Sequence, residues 1–201
     1  LLSAPNGQIV LAAGDVFSRA IRNAGWIVAS SGTITARAAR IENRGVFRTD
    51  ANPAGDGDGG TVTLTGTESL LVGLDGLGIP GSVEADAGVN GNGGSITLET
   101  NGTFTTASTT LISARGGSST GDGGSVKITA EHFTIAGQID ASPANTGYNP
   151  GTLEIDPATV TIANGANTAE NTGALDTLYE QDIEAWGTKG TSLIVYADNG
   201  I

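Results

Sequence analysis

Cysteine is absent from this chain of 201 residues, which excludes a disulfide framework and any thiolate metal site. Aromatic residues make up only 4%, so a core has to be built from small aliphatic side chains. Positive charge is scarce as well. The 9 Lys+Arg stand against 21 Asp+Glu for a net charge of −12, and the basic surface that neutralises phosphates is missing. No nucleic-acid partner is expected on that balance, and attraction to anionic lipid is disfavoured in the same way. No apolar run approaches the ~20 residues of a membrane span, so insertion into a bilayer is not expected either. The chain opens on Leu1 without Met or a basic n-region, so no signal peptide is visible and the sequence reads as an excised piece of a longer protein.

What is abundant is glycine, with 32 residues, and it recurs with a period. Asp58-Gly59-Gly60-Thr61-Val62-Thr63-Leu64, Asn92-Gly93-Gly94-Ser95-Ile96-Thr97-Leu98 and Asp122-Gly123-Gly124-Ser125-Val126-Lys127-Ile128 open alike. Asn149-Pro150-Gly151-Thr152-Leu153-Glu154-Ile155 keeps the pattern, and looser copies start at Gly7 and Gly32. Successive markers Gly7, Gly32, Gly60, Gly94, Gly124 and Gly151 lie 25, 28, 34, 30 and 27 residues apart. That spacing predicts a right-handed parallel β-helix, all-β, with three short strands per coil and about six to seven coils, roughly 30 Å of rod at ~4.8 Å per coil.

Two further strand signals sit in each period, both alternating as a strand with one buried face does. The second includes Ala39-Arg40-Ile41, Phe133-Thr134-Ile135 and Val160-Thr161-Ile162. The third forms the clearest column: Ile27-Val28-Ala29, Phe47-Arg48-Thr49, Val83-Glu84-Ala85, Ile112-Ser113-Ala114 and Ile139-Asp140-Ala141. Each reads large apolar, then outward, then small, which places Arg48, Glu84 and Asp140 outside. The rhythm breaks at 163–174. A short helix on the outside of the solenoid is predicted from Leu178 to Trp186, with Thr177 and Glu180 as a capping box and Gly187 as its stop. Residues 1–162 thus read as coils, 163–190 as a polar connection with the helix, and 191–201 as a last strand.

Several of these phrases resemble a known family. Pro5-Asn6-Gly7-Gln8-Ile9-Val10-Leu11-Ala12-Ala13-Gly14, the Gly-Gly coil starts, Ile112-Ser113-Ala114-Arg115-Gly116-Gly117 and the closing Gly190 to Ile201 are similar to exoproteins of the filamentous haemagglutinin and high-molecular-weight adhesin type. These are the large passengers of bacterial two-partner secretion. The resemblance implies a β-helix exported through an outer-membrane transporter pore and displayed at the cell surface or secreted. It implies no catalytic site and no cofactor. The NPNL and NPNGI motifs of that family's secretion domain do not occur, and Ser3-Ala4-Pro5-Asn6-Gly7 is only a partial echo of the second. The chain is therefore expected downstream of the secretion domain, with the transporter contact made elsewhere.

Asp58, Asn92, Asp122 and Asn149 fall at one point of four successive coils and read as a turn ladder, each side chain capping its own turn. The alternative is a Ca²⁺ site helped by Asp56 and Asp58, although the nonapeptide repeats of calcium-binding toxins are not matched. Arg37, Arg40, Arg44 and Arg48 concentrate positive charge, either as a solvated face or as a contact for an acidic glycan or partner. His132 is the sole histidine, and without an obvious partner it reads as an exposed strand residue rather than a general base. Asp and Glu look scattered between coils, there is no Gly-x-Ser-x-Gly elbow or Walker loop, and no Arg-Gly-Asp tripeptide occurs.

Asp50 to Gly57 and Leu71 to Gly81 are the longer connections where recognition is expected, with Leu71, Leu74, Leu77 and Ile79 shielding a coil edge. The expectation is an adhesive or biofilm-matrix rod, not an enzyme, which touches a glycan or a host or matrix protein. The stalk of a contact-dependent toxin-delivery protein and a polysaccharide-degrading β-helix enzyme are the alternatives. The last of these requires carboxylates clustered in one exposed groove.

Overall fold

Alternating Thr and β-branched or leucine residues favour a pleated strand with one face buried, and segments of this kind make up the two main sheets. The computed structural model describes residues 1–13, 20–73, 80–165 and 174–197. It begins with β1 (Leu2–Ser3), β2 (Gln8–Ala13), β3 (Ala20–Asn23) and β4 (Trp26–Val28). Four repeats follow, each a long strand and then a short one: β5 (Thr33–Asn43) with β6 (Val46–Arg48), β7 (Thr61–Val72) with β8 (Ser82–Glu84), β9 (Ser95–Thr106) with β10 (Leu111–Ser113), and β11 (Ser125–Thr134) with β12 (Gln138–Asp140). The chain then makes β13 (Gly151–Pro157), β14 (Thr161–Ala163), β15 (Thr177–Tyr179), α1 (Glu180–Lys189) and β16 (Thr191–Val195).

All pairing between these strands is parallel. A six-stranded sheet runs β1-β4-β6-β8-β10-β12, and an eight-stranded sheet runs β16-β13-β11-β9-β7-β5-β2 with β3 also on β5. Each strand therefore pairs with its counterpart one repeat away, and the fold is all-β and parallel with one helix. Register makes the interior. Ile9, Ile34, Val62, Ile96, Val126, Leu153 and Leu193 form one continuous column through the large sheet. Opposite it, Leu2, Ile27, Phe47, Val83, Ile112 and Ile139 form the column of the small sheet. Ile27 to Ile139 are buried as the triplet pattern predicts, and the small residues two places on, Ala29, Thr49, Ala85, Ala114 and Ala141, are fully enclosed.

The Gly-Gly corner has a steric cause. A Cβ on Gly94 would overlap the carbonyl oxygen of Gly60, and one on Gly124 would overlap that of Gly94, because the corners stack backbone on backbone. No residue larger than glycine fits there without moving the ladder.

Four expectations need correction. The first and second strand signals of a repeat do not form separate strands in the middle of the chain. They run on as one strand of 10 to 12 residues, with the turn between them reduced to a register shift such as that between Ala38 and Arg40 or between Ala130 and His132. The ladder hydrogen bonds continue through a bulge more cheaply than they can be broken and remade. Second, Ile162 is 55% exposed, because β14 lies at an edge, paired only with β15. The amide of Asp176, next to β15, donates to the Phe133 carbonyl at 2.9 Å, which fixes the returning chain beside β11.

Third, the capping box is absent. Thr177 and Tyr179 belong to β15, Thr177 Oγ1 donates to the Leu175 carbonyl, and the helix cap residue Tyr179 makes no side-chain cap bond. The helix starts at Glu180, with Glu180 and Asp182 complementing its dipole. Fourth, Gly187 lies inside the helix. It ends instead at Gly190, whose φ of 88° is left-handed and whose N–H reaches the Gly187 and Trp186 carbonyls. Leu178 of β15 and Trp186 of α1 join the core, so one face of the helix packs against the last repeat. Of the apolar loop residues, Leu71 belongs to β7 and is half-buried, while Leu74, Leu77 and Ile79 lie outside the described residues.

Ile139 is 1% exposed at the end of the small-sheet column, so Ile139→Asp puts an unpartnered carboxylate into the core. The expected outcome is a loss of roughly 4 kcal/mol in urea denaturation; a curve that matches the wild type would refute the inward placement.

Candidate functional site

The column pattern of the small sheet continues one residue further than the triplets suggest. Three places beyond the inward residue, directly after the small one, come Ser30, Asp50, Asp86, Arg115 and Ser142, one in each successive repeat. Backbone bonds tie them in line: the amides of Ala51, Ala87 and Gly116 donate to the carbonyls of Asp86, Arg115 and Ser142. Together with Arg48 on β6, these side chains form the floor of a groove of about 850 Å³, and the buried Glu84 on β8 stands beside it as a partner of Arg48. Leu1 and Ser3 lie at one end of it, with Trp26 one repeat in, and Pro143 and Ala144 at the other.

The charges on this floor are interlocked. Arg48 donates from Nε to Glu84 at 2.8 Å and lies 3.2 Å from Asp50, while its guanidinium sits 4.8 Å over the Trp26 ring. The Asp86 amide donates to Asp50 Oδ1 at 2.7 Å. The Asp86 carboxylate accepts from Ser113 Oγ at 2.5 Å, from the Arg115 amide at 2.7 Å, and from Arg115 Nε and Nη2 at 3.0 and 2.6 Å. Both guanidinium donors converge on Oδ2, while Oδ1 takes the hydroxyl and the amide, and charge-assisted bonds of this kind are stronger than neutral ones. Asp86 strengthens the hold of Arg115 on its proton. Burial pushes the Asp50 carboxyl up to about 7, and the Asp86 and Glu84 carboxylates add to the rise.

Sequence reasoning missed this cluster and took its carboxylates as scattered. Asp50 is 34 and 36 residues from Glu84 and Asp86 along the chain, and only stacking brings it to them. One more residue on each triplet would have revealed it, since the position after the small residue reads Ser, Asp, Asp, Arg, Ser down the column.

The arginines singled out by sequence do not form one patch. Arg37 and Arg40 are exposed on β5, and Arg40 pairs with Glu68 at 2.9 Å. Arg44 pairs with Glu42 in the turn, and only Arg48 reaches the groove. The Asx ladder exists, but its side chains do not cap their own turns. Asp58 Oδ1 accepts from the Asn92 amide at 2.7 Å, Asn92 Oδ1 from the Asp122 amide at 2.9 Å, and Asp122 Oδ1 from the Asn149 amide at 2.8 Å. Each side chain therefore reaches the next repeat, where an unused amide faces it; the Asn149 side chain also holds the Asp122 carboxyl below its usual range.

Asp56 does the same, accepting from Asn90 Nδ2 at 2.6 Å. Among the described residues no group of three or more His, Asp or Glu is placed to hold a metal ion.

His132 does have a partner. Its Nδ1 lies 2.8 Å from Asp176 Oδ2, while Asp176 Oδ1 accepts the Phe133 amide at 2.8 Å. The pair clips the returning chain to β11 and raises the His132 pKa.

Both titrating groups make stability depend on pH. Asp50 has a folded value near 7 against 3.8 for the free group, so its proton-linked stability is complete below 3.8 and is lost as pH rises through 7. Asp50→Asn should flatten the fall in melting temperature between pH 4 and 8, and parallel declines in variant and wild type would contradict the assignment. For His132, also raised, the stabilisation is complete below 6.5 and fades at higher pH. His132→Gln should speed hydrogen exchange at Leu178 to Trp186 at pH 6 but much less at pH 8; an equal effect at both would rule out the protonated clip. Comparison with family models, curated proteins and solved structures finds no match to this chain.

Proposed function

We propose that this chain is a segment of right-handed parallel β-helix from a large extracellular bacterial surface protein, where it serves as a rod that carries adhesive contacts. The observation that carries the reading is the register. Each strand pairs in parallel with its own counterpart one repeat away, and seven strands in sequence order make the large sheet a stack about 29 Å long at the usual strand spacing. A stack of that kind is stiff along its axis and leaves turns free to vary, which suits a scaffold that holds binding surfaces away from a cell. The resemblance of the opening and closing phrases to two-partner-secretion adhesins supports the same reading and supplies secretion through a transporter pore.

A second reading has a specific observation behind it. A polysaccharide-degrading enzyme needs carboxylates in one groove, and Asp50 and Asp86 share one, with Glu84 beside them. Against it stands their engagement: Glu84 and Asp86 are held by arginines, and Asp50 accepts an amide and faces Arg48. A general acid or base has to be free to exchange its proton with substrate.

The two readings separate in one experiment. Beads coated with the purified chain should be retained on immobilised biofilm-matrix polysaccharides or host matrix proteins, with no new reducing ends or unsaturated sugars released. Release of such products would overturn the rod in favour of the enzyme.

A further inference from the structure

The groove on the small-sheet side carries more than a structural ion-pair network. It runs across the strands, along the stacking direction, from the repeat of Leu1 and Ser3 to that of Ser142, a distance of five repeats or about 24 Å. Its floor presents the carboxylates of Asp50 and Asp86 between the guanidinium groups of Arg48 and Arg115. One repeat in from its end, Trp26 is 50% exposed, with one ring face against Arg48. We infer that this groove binds an uncharged oligosaccharide in an extended conformation, with Trp26 as a stacking platform and the Arg48-Asp50-Asp86-Arg115 network as the hydroxyl-recognition surface. The inference rests on the adhesive-rod reading and gives it a ligand class.

Three observations select this occupant. The first is the geometry of the backbone. The amides and carbonyls of the turn column are consumed in bonds between repeats, such as Ala51 to Asp86 and Ala87 to Arg115, so a peptide laid in the groove finds no free ladder to extend. A polymer of hydroxyl groups needs none, because it binds through side-chain donors and acceptors.

The second is charge. The charges of Arg48 and Arg115 are both neutralised by carboxylates, and Asp50, Glu84 and Asp86 outnumber them by one. A uronate or sulfate would enter a field that is neutral at best, in a chain of net charge −12. A hydroxyl pair, donor and acceptor at once, satisfies a carboxylate and a guanidinium together without removing either from its partner.

The third is the combination of an aromatic face with preformed polar groups. Ligand sites pair an apolar surface with a few fixed polar atoms that set orientation. Asp86 is fixed by four hydrogen bonds, and Arg115 by its two guanidinium bonds to Asp86, so little ordering cost remains for binding. The apolar face of a pyranose ring is the natural partner of the open side of Trp26.

Cellohexaose, a straight neutral glucan, is the probe. Trp26 and Trp186 are the two tryptophans, and Trp186 is buried, so a Trp186→Phe background reports Trp26 fluorescence alone. Cellohexaose should shift that fluorescence saturably, and calorimetry on the unmodified chain should return the same affinity. Trp26→Ala should weaken binding about tenfold or more, with Trp26→Tyr restoring most of it. Because Trp26 is half exposed, the variants should keep the wild-type melting curve. An oligogalacturonate or a deacetylated chitosan oligomer that binds more tightly than cellohexaose, or the absence of any cellohexaose response, would overturn the assignment. Bead adhesion that persists undiminished in Trp26→Ala overturns the groove as well and leaves the adhesive rod standing. Cellohexaose binding through Trp26 without bead adhesion supports the groove and rejects the adhesive role.

Discussion

The strands of the two main sheets are stacked on their own counterparts one repeat away, and that constraint governs the rest of the structure. Parallel in-register pairing satisfies the backbone by bonding each repeat to its neighbours, but it also forces like to meet like at about 4.8 Å. Inside, this is an advantage. An aliphatic column such as Ile34, Val62, Ile96 and Val126 packs without gaps because side chains of similar size repeat. At the corners the backbones themselves come into contact, which leaves room only for glycine.

Outside, the same constraint becomes a problem of charge. A repeated acidic residue would stack carboxylates into mutual repulsion, and the chain avoids this by changing the residue down each column. In the small sheet the outward position reads Val28, Arg48, Glu84, Ser113 and Asp140, so that Arg48 meets Glu84 across one step. In the large sheet Lys127 meets Glu154 at 2.6 Å. In the Asx ladder the carboxylate of one repeat receives the amide of the next rather than a second carboxylate. At Asp50 this alternation is incomplete, so that Asp86 and Glu84 add to the rise in pKa that burial causes.

The sequence carried these rules unevenly. Period, strand faces and the buried column were legible because they depend on residues within one repeat: alternation in Thr61-Val62-Thr63-Leu64, and large-then-small in Ile112-Ser113-Ala114. Contacts between repeats were not. Asp86 and Arg115 are 29 residues apart, and nothing local says that they meet. His132 looked solitary because Asp176 lies 44 residues on, beyond a segment whose course has no repeat to follow. The helix was found but misplaced at both ends, since Thr177 was claimed by β15 and Gly187 carries no left-handed backbone, which Gly190 does.

The placement of the basic residues ties scaffold to site. Arg22, Arg40, Arg44, Arg48, Arg115 and Lys127 each stand against a carboxylate, so most of the scarce positive charge of this acidic chain is spent on holding repeats and turns together. A partner recognised by net charge would have to compete with those pairs and would loosen the stack as it bound. A partner recognised by hydroxyl geometry competes with none of them. The same ion pairs that settle the stacking of like on like therefore favour an uncharged ligand at the one groove they line.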